Sequence, residues 1–171
     1  TVAHQTLATF LIQQMRVLMR DLLEDKDAGW MRSYPAPDRR IPLGEVGITG
    51  DGPLAIVSFA NGHYLSRQAA AELAQEGIDT RVIDLRWIAP LPLEAMLAAL
   101  KGAKKVLIVD ECRRTGGQSE ALMAALAENT DLPHARLAAE DSFIATGPAY
   151  ATTMPSREGI RDAARALWRS E

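Results

Sequence analysis

The stretch VDECRRTGGQSEAL, Val109 to Leu122, crowds two arginines, two glycines and the chain's only cysteine beside the acids Asp110 and Glu111. It follows an apolar run and leads into a helix-like segment. Two chemistries are open to it. Cys112 is a candidate thiolate, because Arg113 and Arg114 beside it can lower a thiol pKa. No second cysteine exists to resolve an oxidised form, so a structural cysteine at a strand end is the favoured reading. Arg113, Arg114, Thr115, Gly116 and Gly117 are the better candidates. They leave a strand and enter a helix N-terminus, where unpaired amides and the helix dipole favour an anion. Glycines permit close backbone approach, and arginine offers a bidentate fork to phosphate or carboxylate. The spacing matches neither a Walker nor a Rossmann motif. The plainer reading, a turn whose arginines pair with Asp110, Glu111 or another protein surface, is preferred.

Asn61, Gly62 and His63 occupy the equivalent position after an earlier strand. Asp84-Leu85-Arg86 ends another, where an internal ion pair is expected. No Gly-x-Ser-x-Gly elbow and no His-Glu-x-x-His motif occurs. The chain therefore presents no self-sufficient catalytic constellation, and no catalytic, cofactor or metal residue is assigned to it.

These residues need elements to position them. Apolar runs predict buried strands at 54–60, 81–86 and 105–111, with a weaker one at 135–140. Helices are expected at 63–76 with Gly77 as the stop, at 92–101 from Pro92, at 118–128, and from a Ser156 cap onward, where Ile160, Ala163, Ala164, Leu167 and Trp168 repeat at one-stripe spacing. Alternating strands and helices imply right-handed crossovers and a mostly parallel sheet covered on both faces. Gly50-Asp51-Gly52 reads as a hairpin-type turn joining an additional antiparallel edge strand at about 44–49 to the strand at 54. The first 26 residues fit neither period cleanly, with a helix favoured near 13–24. Residues 25–42 carry prolines and charges and read as a connector. The division is 1–42 and 43–171.

Composition is that of a globular protein: 171 residues, 47% hydrophobic, 24% charged and a net charge of -3. Such a charge gives no reason to expect nucleic acid. No apolar stretch approaches the about 20 residues that span a bilayer. One cysteine excludes an internal disulfide and suits a reducing cytoplasm, which is the expected location.

GIDTRVIDLRWIAPLPLEAMLAAL followed by KKVLIVDECRRTGGQSEAL resembles the C-terminal domain of transketolase-like thiamin diphosphate enzymes. It is most similar to the beta subunit, or the matching half of a fused chain, of the decarboxylating component of 2-oxoacid dehydrogenase complexes. The family's strand reading I-D-L-R, its Pro-Leu helix start and its E-A-P-R-T-G-G turn have counterparts at Ile83 to Arg86, Pro90-Leu91 and Glu111 to Gly117. Here Cys112-Arg113 replace Ala-Pro. DSFIATGPAYATTMPSREGI resembles the family's tail. FLIQQMRVLMRDL resembles the end of the preceding pyrimidine-binding domain less closely.

The resemblance implies a three-layer α/β/α sandwich whose five-stranded mixed sheet has the order 1-3-2-4-5, the first strand antiparallel. It implies a parent enzyme that decarboxylates a 2-oxoacid on thiamin diphosphate with magnesium and passes the acyl group to a lipoyl arm. Implied partners are the rest of that chain, a homodimer or alpha/beta partner subunit, and the acyltransferase core. The cofactor would belong to other domains. Gly50-Asp51-Gly52 has the opening letters of the family's magnesium-diphosphate motif, but that motif needs an asparagine near positions 76–82. The chain's two asparagines are Asn61 and Asn129. In order 1-3-2-4-5 the switch-point crevice falls between the strands at 54–60 and 105–111. That would set Asn61, Gly62 and His63 beside Arg113 to Gly117. An alternative function follows from this, a regulatory anion-binding domain of a transketolase or related enzyme.

Overall fold

A computed structural model describes residues 21–23, 26–29, 35–38, 40–143 and 147–170, the side chains of 147 and 148 excepted. They fall in two compact units, 1–40 and 41–171. In the first, the Asp27 carboxylate organises a turn, with Oδ1 accepting from the amides of Leu22 at 2.8 Å and Gly29 at 2.7 Å. Of the helix expected near 13–24, only 21–23 lie within the described residues; the remainder lies outside them.

Among its described residues the second unit holds one sheet and four α-helices. Its strands are β1 (Gly47–Thr49), β2 (Leu54–Ser58), β3 (Thr80–Asp84), β4 (Lys105–Arg113) and β5 (His134–Ala139). The helices are α1 (Ala60–Gln75), α2 (Leu93–Ala99), α3 (Gln118–Asn129) and α4 (Arg157–Arg169), with a 3-10 turn at Gly147–Thr152. The sheet order is β1-β3-β2-β4-β5, parallel except for β1 against β3. Every strand expected from sequence is present. Helix α1 begins three residues earlier than its apolar spacing indicates, because Phe59 takes an extended N-cap conformation and Ala60 turns through φ 49.

Alternation of side chains divides the core into two layers. Ala55, Val57, Ile83, Val106 and Ile108 point to one face, beneath Met96 and Ala99 of α2 and Leu122, Ala125 and Leu126 of α3. Leu54, Ile56, Leu107 and Val109 point to the other, beneath Ala69 and Leu73 of α1 and Ile160 and Ala164 of α4. The three-layer sandwich is thus formed. Ser156 caps α4 as expected, its hydroxyl accepting from the Gly159 amide at 3.0 Å.

Helices α1 and α4 are also joined by charge. Arg157 and Arg161 reach Glu72 at 3.1 and 3.0 Å. Arg165 grips Glu76 at the end of α1 through two guanidinium nitrogens, one of them 2.7 Å away, and also reaches Asp162 at 2.9 Å. The Arg165 hydrogen bond holds the Glu76 carboxyl below its usual range, with the charges of Arg165, Arg169 and Arg161 adding to it. A carboxyl depressed in the folded state contributes stability that is complete above its unfolded value, about 4.3, and is lost as pH falls through the folded one. The acid limb of a pH–stability curve below about pH 4.3 should therefore be shallower in Glu76→Gln than in wild type. Chemical unfolding measured across that range tests this, and parallel limbs would refute it. Added salt should weaken the same contribution at neutral pH, since these groups are partly exposed.

Candidate functional site

The residues singled out by sequence sit at the C-terminal ends of β2 and β4. Strand β4 does not run straight into its loop. Register with β5 shifts between Asp110, opposite Ala138, and Arg113, opposite Ala139. Asp110, the last residue in register before this bulge, continues the alternation of Val106 and Ile108 and points under α3, where it is fully buried. Oδ1 accepts from the Cys112 amide and Oδ2 from the Ser119 amide, each at 2.8 Å. Asp110 is therefore the anion at the N-terminus of α3, supplied by the chain itself. It is not the surface partner of Arg113 and Arg114 that the turn reading invoked. Gly117 makes the close approach possible: a Cβ there would lie 2.6 Å from the Arg113 carbonyl oxygen and 2.9 Å from Asp110 Oδ2.

The loop from Arg113 to Gly117 is fastened on its β5 side. The Thr115 amide and hydroxyl donate to the two oxygens of Asp141 at 2.8 and 2.6 Å. The Arg114 amide donates to the Ala139 carbonyl at 3.0 Å, and Arg136 reaches the Arg114 carbonyl at 3.1 Å. Thr115's two hydrogen bonds hold the Asp141 carboxyl below its usual range, helped by the charges of Arg113 and Arg114. Gly116 supplies the turn, with φ 73. So the Thr115 amide, one of those expected to face an incoming anion, is engaged by the chain's own carboxylate.

Asn61, Gly62 and His63 open α1 at the end of β2. Asn61 Nδ2 donates to Glu111 Oε1 at 2.8 Å, bridging the two strand ends at the switch point. Gly62 is buried, and a Cβ on it would fall 2.5 Å from Ser58 Oγ. The Tyr64 ring meets His63 edge-on, centroids 5.5 Å apart. The crevice that sequence pointed to is lined on the β4 side by carboxylates, Glu111 at its mouth and Asp110 beneath.

Cys112 is an exposed free thiol. Burial of the sulfur pushes its pKa up, and the Asp110 carboxylate pushes it further. The shift is opposite to the lowering that the neighbouring arginines could supply. Cys112, Arg113, Ser142 and Phe143 line an open cleft of about 420 Å³, where the Phe143 ring is 98% exposed. Sequence reasoning passed over Phe143 because an isolated aromatic in a polar loop carries no period.

Two further expectations change. Arg86 pairs with Glu45, not with Asp84; its own amide instead donates to Asp84 Oδ1 at 3.2 Å. Gly50-Asp51-Gly52, expected as a hairpin-type turn, joins strands that do not pair, since β1 lies against β3; it sits at the opposite end of the sheet from the switch point, between β1 and β2 in the chain. The Gly52 amide donates to the Thr80 carbonyl at 3.2 Å, and Arg81 Nη2 donates to the Asp51 carbonyl at 2.9 Å. A magnesium diphosphate does not fit this turn: both glycines press against the backbone at 79–80 and an arginine covers the carbonyl of Asp51. Among the described residues, no group of three or more His, Cys, Asp or Glu side chains could hold a metal ion, and no helix is long and apolar enough to cross a membrane.

The chain has relatives of known name. It is 28% identical over 137 residues to the pyruvate dehydrogenase E1 component subunit beta of Staphylococcus epidermidis, covering 77% of this chain and 42% of that protein. It is 26% identical over 139 residues to the Bacillus subtilis protein of the same name, covering 78% and 43%. The chain thus spans less than half the length of these relatives. Among solved structures, a split-gene transketolase in an inactive beta4 tetramer superposes with a TM-score of 0.68 at 21% identity, covering 80% of this chain and 45% of that one. A 2-oxoglutarate:ferredoxin oxidoreductase from Magnetococcus marinus superposes with a TM-score of 0.52 at 15% identity, covering 72% and 19%. Both likenesses are of fold. The family model for the transketolase C-terminal domain matches residues 48–160. That match takes in the sheet from β1 to β5 and the first turn of α4, and by it the chain belongs to the transketolase C-terminal domain family.

Proposed function

We propose that this chain is the C-terminal assembly domain of a thiamin diphosphate-dependent 2-oxoacid dehydrogenase of the E1-beta kind. It contributes to dimerisation and to docking of the acyltransferase core, while thiamin diphosphate and magnesium belong to other domains of the parent enzyme. The observation that carries the reading is a row of aliphatic side chains beside β1. Ile41, Leu43, Ile48 and Ile88 are all exposed, Ile48 to 54% and Leu43 to 67%. The Trp87 indole donates to the Pro42 carbonyl at 3.1 Å, which holds segments 41–43 and 87–88 together, and Ile48 is paired in register with Ile83 on β3. Exposed apolar surface of this kind marks association sites more often than chance. The similarity to E1 beta subunits supports the identity of the parent enzyme.

Sedimentation of the chain over a range of concentrations should show self-association, and Ile48→Lys should abolish it. The stability of that variant should stay within about 0.5 kcal/mol of wild type, as for other exposed sites. Titration of thiamin diphosphate with magnesium into the same preparation should give no saturable heat. A monomer at every concentration refutes the assembly role, and magnesium-dependent binding refutes the division of labour.

A further inference from the structure

The C-terminal end of α4 converges on one point. Lys105, the first residue of β4, places its Nζ 3.0 Å from the Leu167 carbonyl oxygen, 3.3 Å from that of Trp168 and 3.2 Å from Ser170 Oγ, and it also donates to the Ser170 carbonyl. Three main-chain carbonyls and a hydroxyl thus surround a single ammonium. The last carbonyls of a helix have no intrahelical partner and carry the negative end of its dipole, so they attract a cation. Rings of backbone carbonyls are also what replaces the hydration shell of a potassium ion in a channel filter.

We infer that the C-terminal end of α4 is a monovalent-cation cradle, suited to potassium, ammonium or a primary alkylammonium, which this chain keeps filled with its own Lys105. Geometry supports the cradle in two ways. Its oxygens come from the last turn of one helix and its cap residue, and the carbonyls of Leu167 and Trp168 are fixed by the helix whether or not the lysine side chain is present. The lysine stem enters from β4, so shortening it leaves a path the length of a small alkyl chain. Asp162, Glu72 and Glu76, the nearest acids of α1 and α4, are taken up by Arg161 and Arg165. Because the native cation is tethered, the fastening of α4 does not depend on which salt is present.

The test is chemical rescue. Lys105→Ala should lower the thermal midpoint by on the order of 3–10 °C, from the loss of a charge-assisted cluster in a chain of this size. At fixed ionic strength, potassium, ammonium or n-propylammonium chloride should return about half of that loss, whereas tetramethylammonium chloride, which has no N–H to donate and is too bulky to enter, should return none. Wild type should show no such ordering of salts. Lys105→Thr, a better strand former and equally short of the cradle, serves if the alanine variant does not fold. A midpoint independent of the cation in the variants, or the same ordering in wild type, overturns the inference.

Discussion

Gly52→Ala should cost the chain about 3–5 kcal/mol of stability, whereas Asp51→Ala at the adjacent residue will barely register. A Cβ on Gly52 would stand 2.3 Å from the Asp79 carbonyl carbon and 2.4 Å from the Thr80 nitrogen, all of them main-chain atoms. No rotamer change relieves such contacts. Relief requires β2 to part from the start of β3, and Leu54↔Thr80 is the first rung of that pairing. Overpacking in a rigid setting costs about 1–3 kcal/mol, and losing a rung and its buried neighbours adds to that. The sum, about 3–5 kcal/mol, is a large part of the 5–15 kcal/mol that stabilises a typical domain. Asp51 is exposed and contributes only its carbonyl to Arg81, which alanine retains. Urea unfolding of both variants decides the matter. A glycine kept for cofactor contact alone would leave the stability of Gly52→Ala unchanged.

Asp110→Ala should be nearly as damaging. The carboxylate is wholly buried and accepts from two amides, one in the bulge and one in the first turn of α3. Removing it forfeits a helix cap and strands the buried Ser119 donor and the half-buried Cys112 donor, for an expected loss of about 2–4 kcal/mol. Asp110→Asn keeps one accepting oxygen but turns an N–H toward the other amide, so it should recover only part of this. The thermal midpoint should fall by about 2–4 °C for each kcal/mol in a chain of this length. If Asp110 were a surface partner of Arg113 and Arg114, both variants would melt with wild type.

The strands and their order were legible because each is a short apolar run bounded by turn residues, and Gly77 and Ser156 act where their chemistry allows little else. The start of α1 was not, because Phe59 and Ala60 enter it without a capping side chain, and Ala60 sits at a φ its residue type rarely takes. The candidate site was legible as a place but not as a chemistry. Sequence located Arg113 to Gly117 between a strand end and a helix start. The alternation of Val106 and Ile108 extends to Asp110 and sets its carboxylate on the α3 face. What sequence could not show is the bulge after it and the two amides that close on that carboxylate, because one extra pair of residues in a strand leaves no periodic trace. Partial burial of the Cys112 thiol, and then the Asp110 carboxylate beside it, raise its pKa despite the two neighbouring arginines.

The two core layers differ in how far along the chain their parts lie. The layer under α2 and α3 is built from buried residues between 55 and 126, with its helices lying between β3 and β4 and between β4 and β5 in the chain. The opposite layer joins Leu54 and Ile56, near the start of the second unit, to Ile160 and Ala164, near its end. Closing it means bringing together segments separated by nearly the whole unit, which carries a larger loop entropy than closing the first layer. Contacts of such long range slow folding. Until α4 docks, Leu54, Ile56, Leu107 and Val109 have α1 alone for shelter. The face that closes over the longer chain separation is therefore the one left bare in a chain whose α4 is undocked, and the arginines of α4 that pair with Glu72 and Glu76 help to hold it shut.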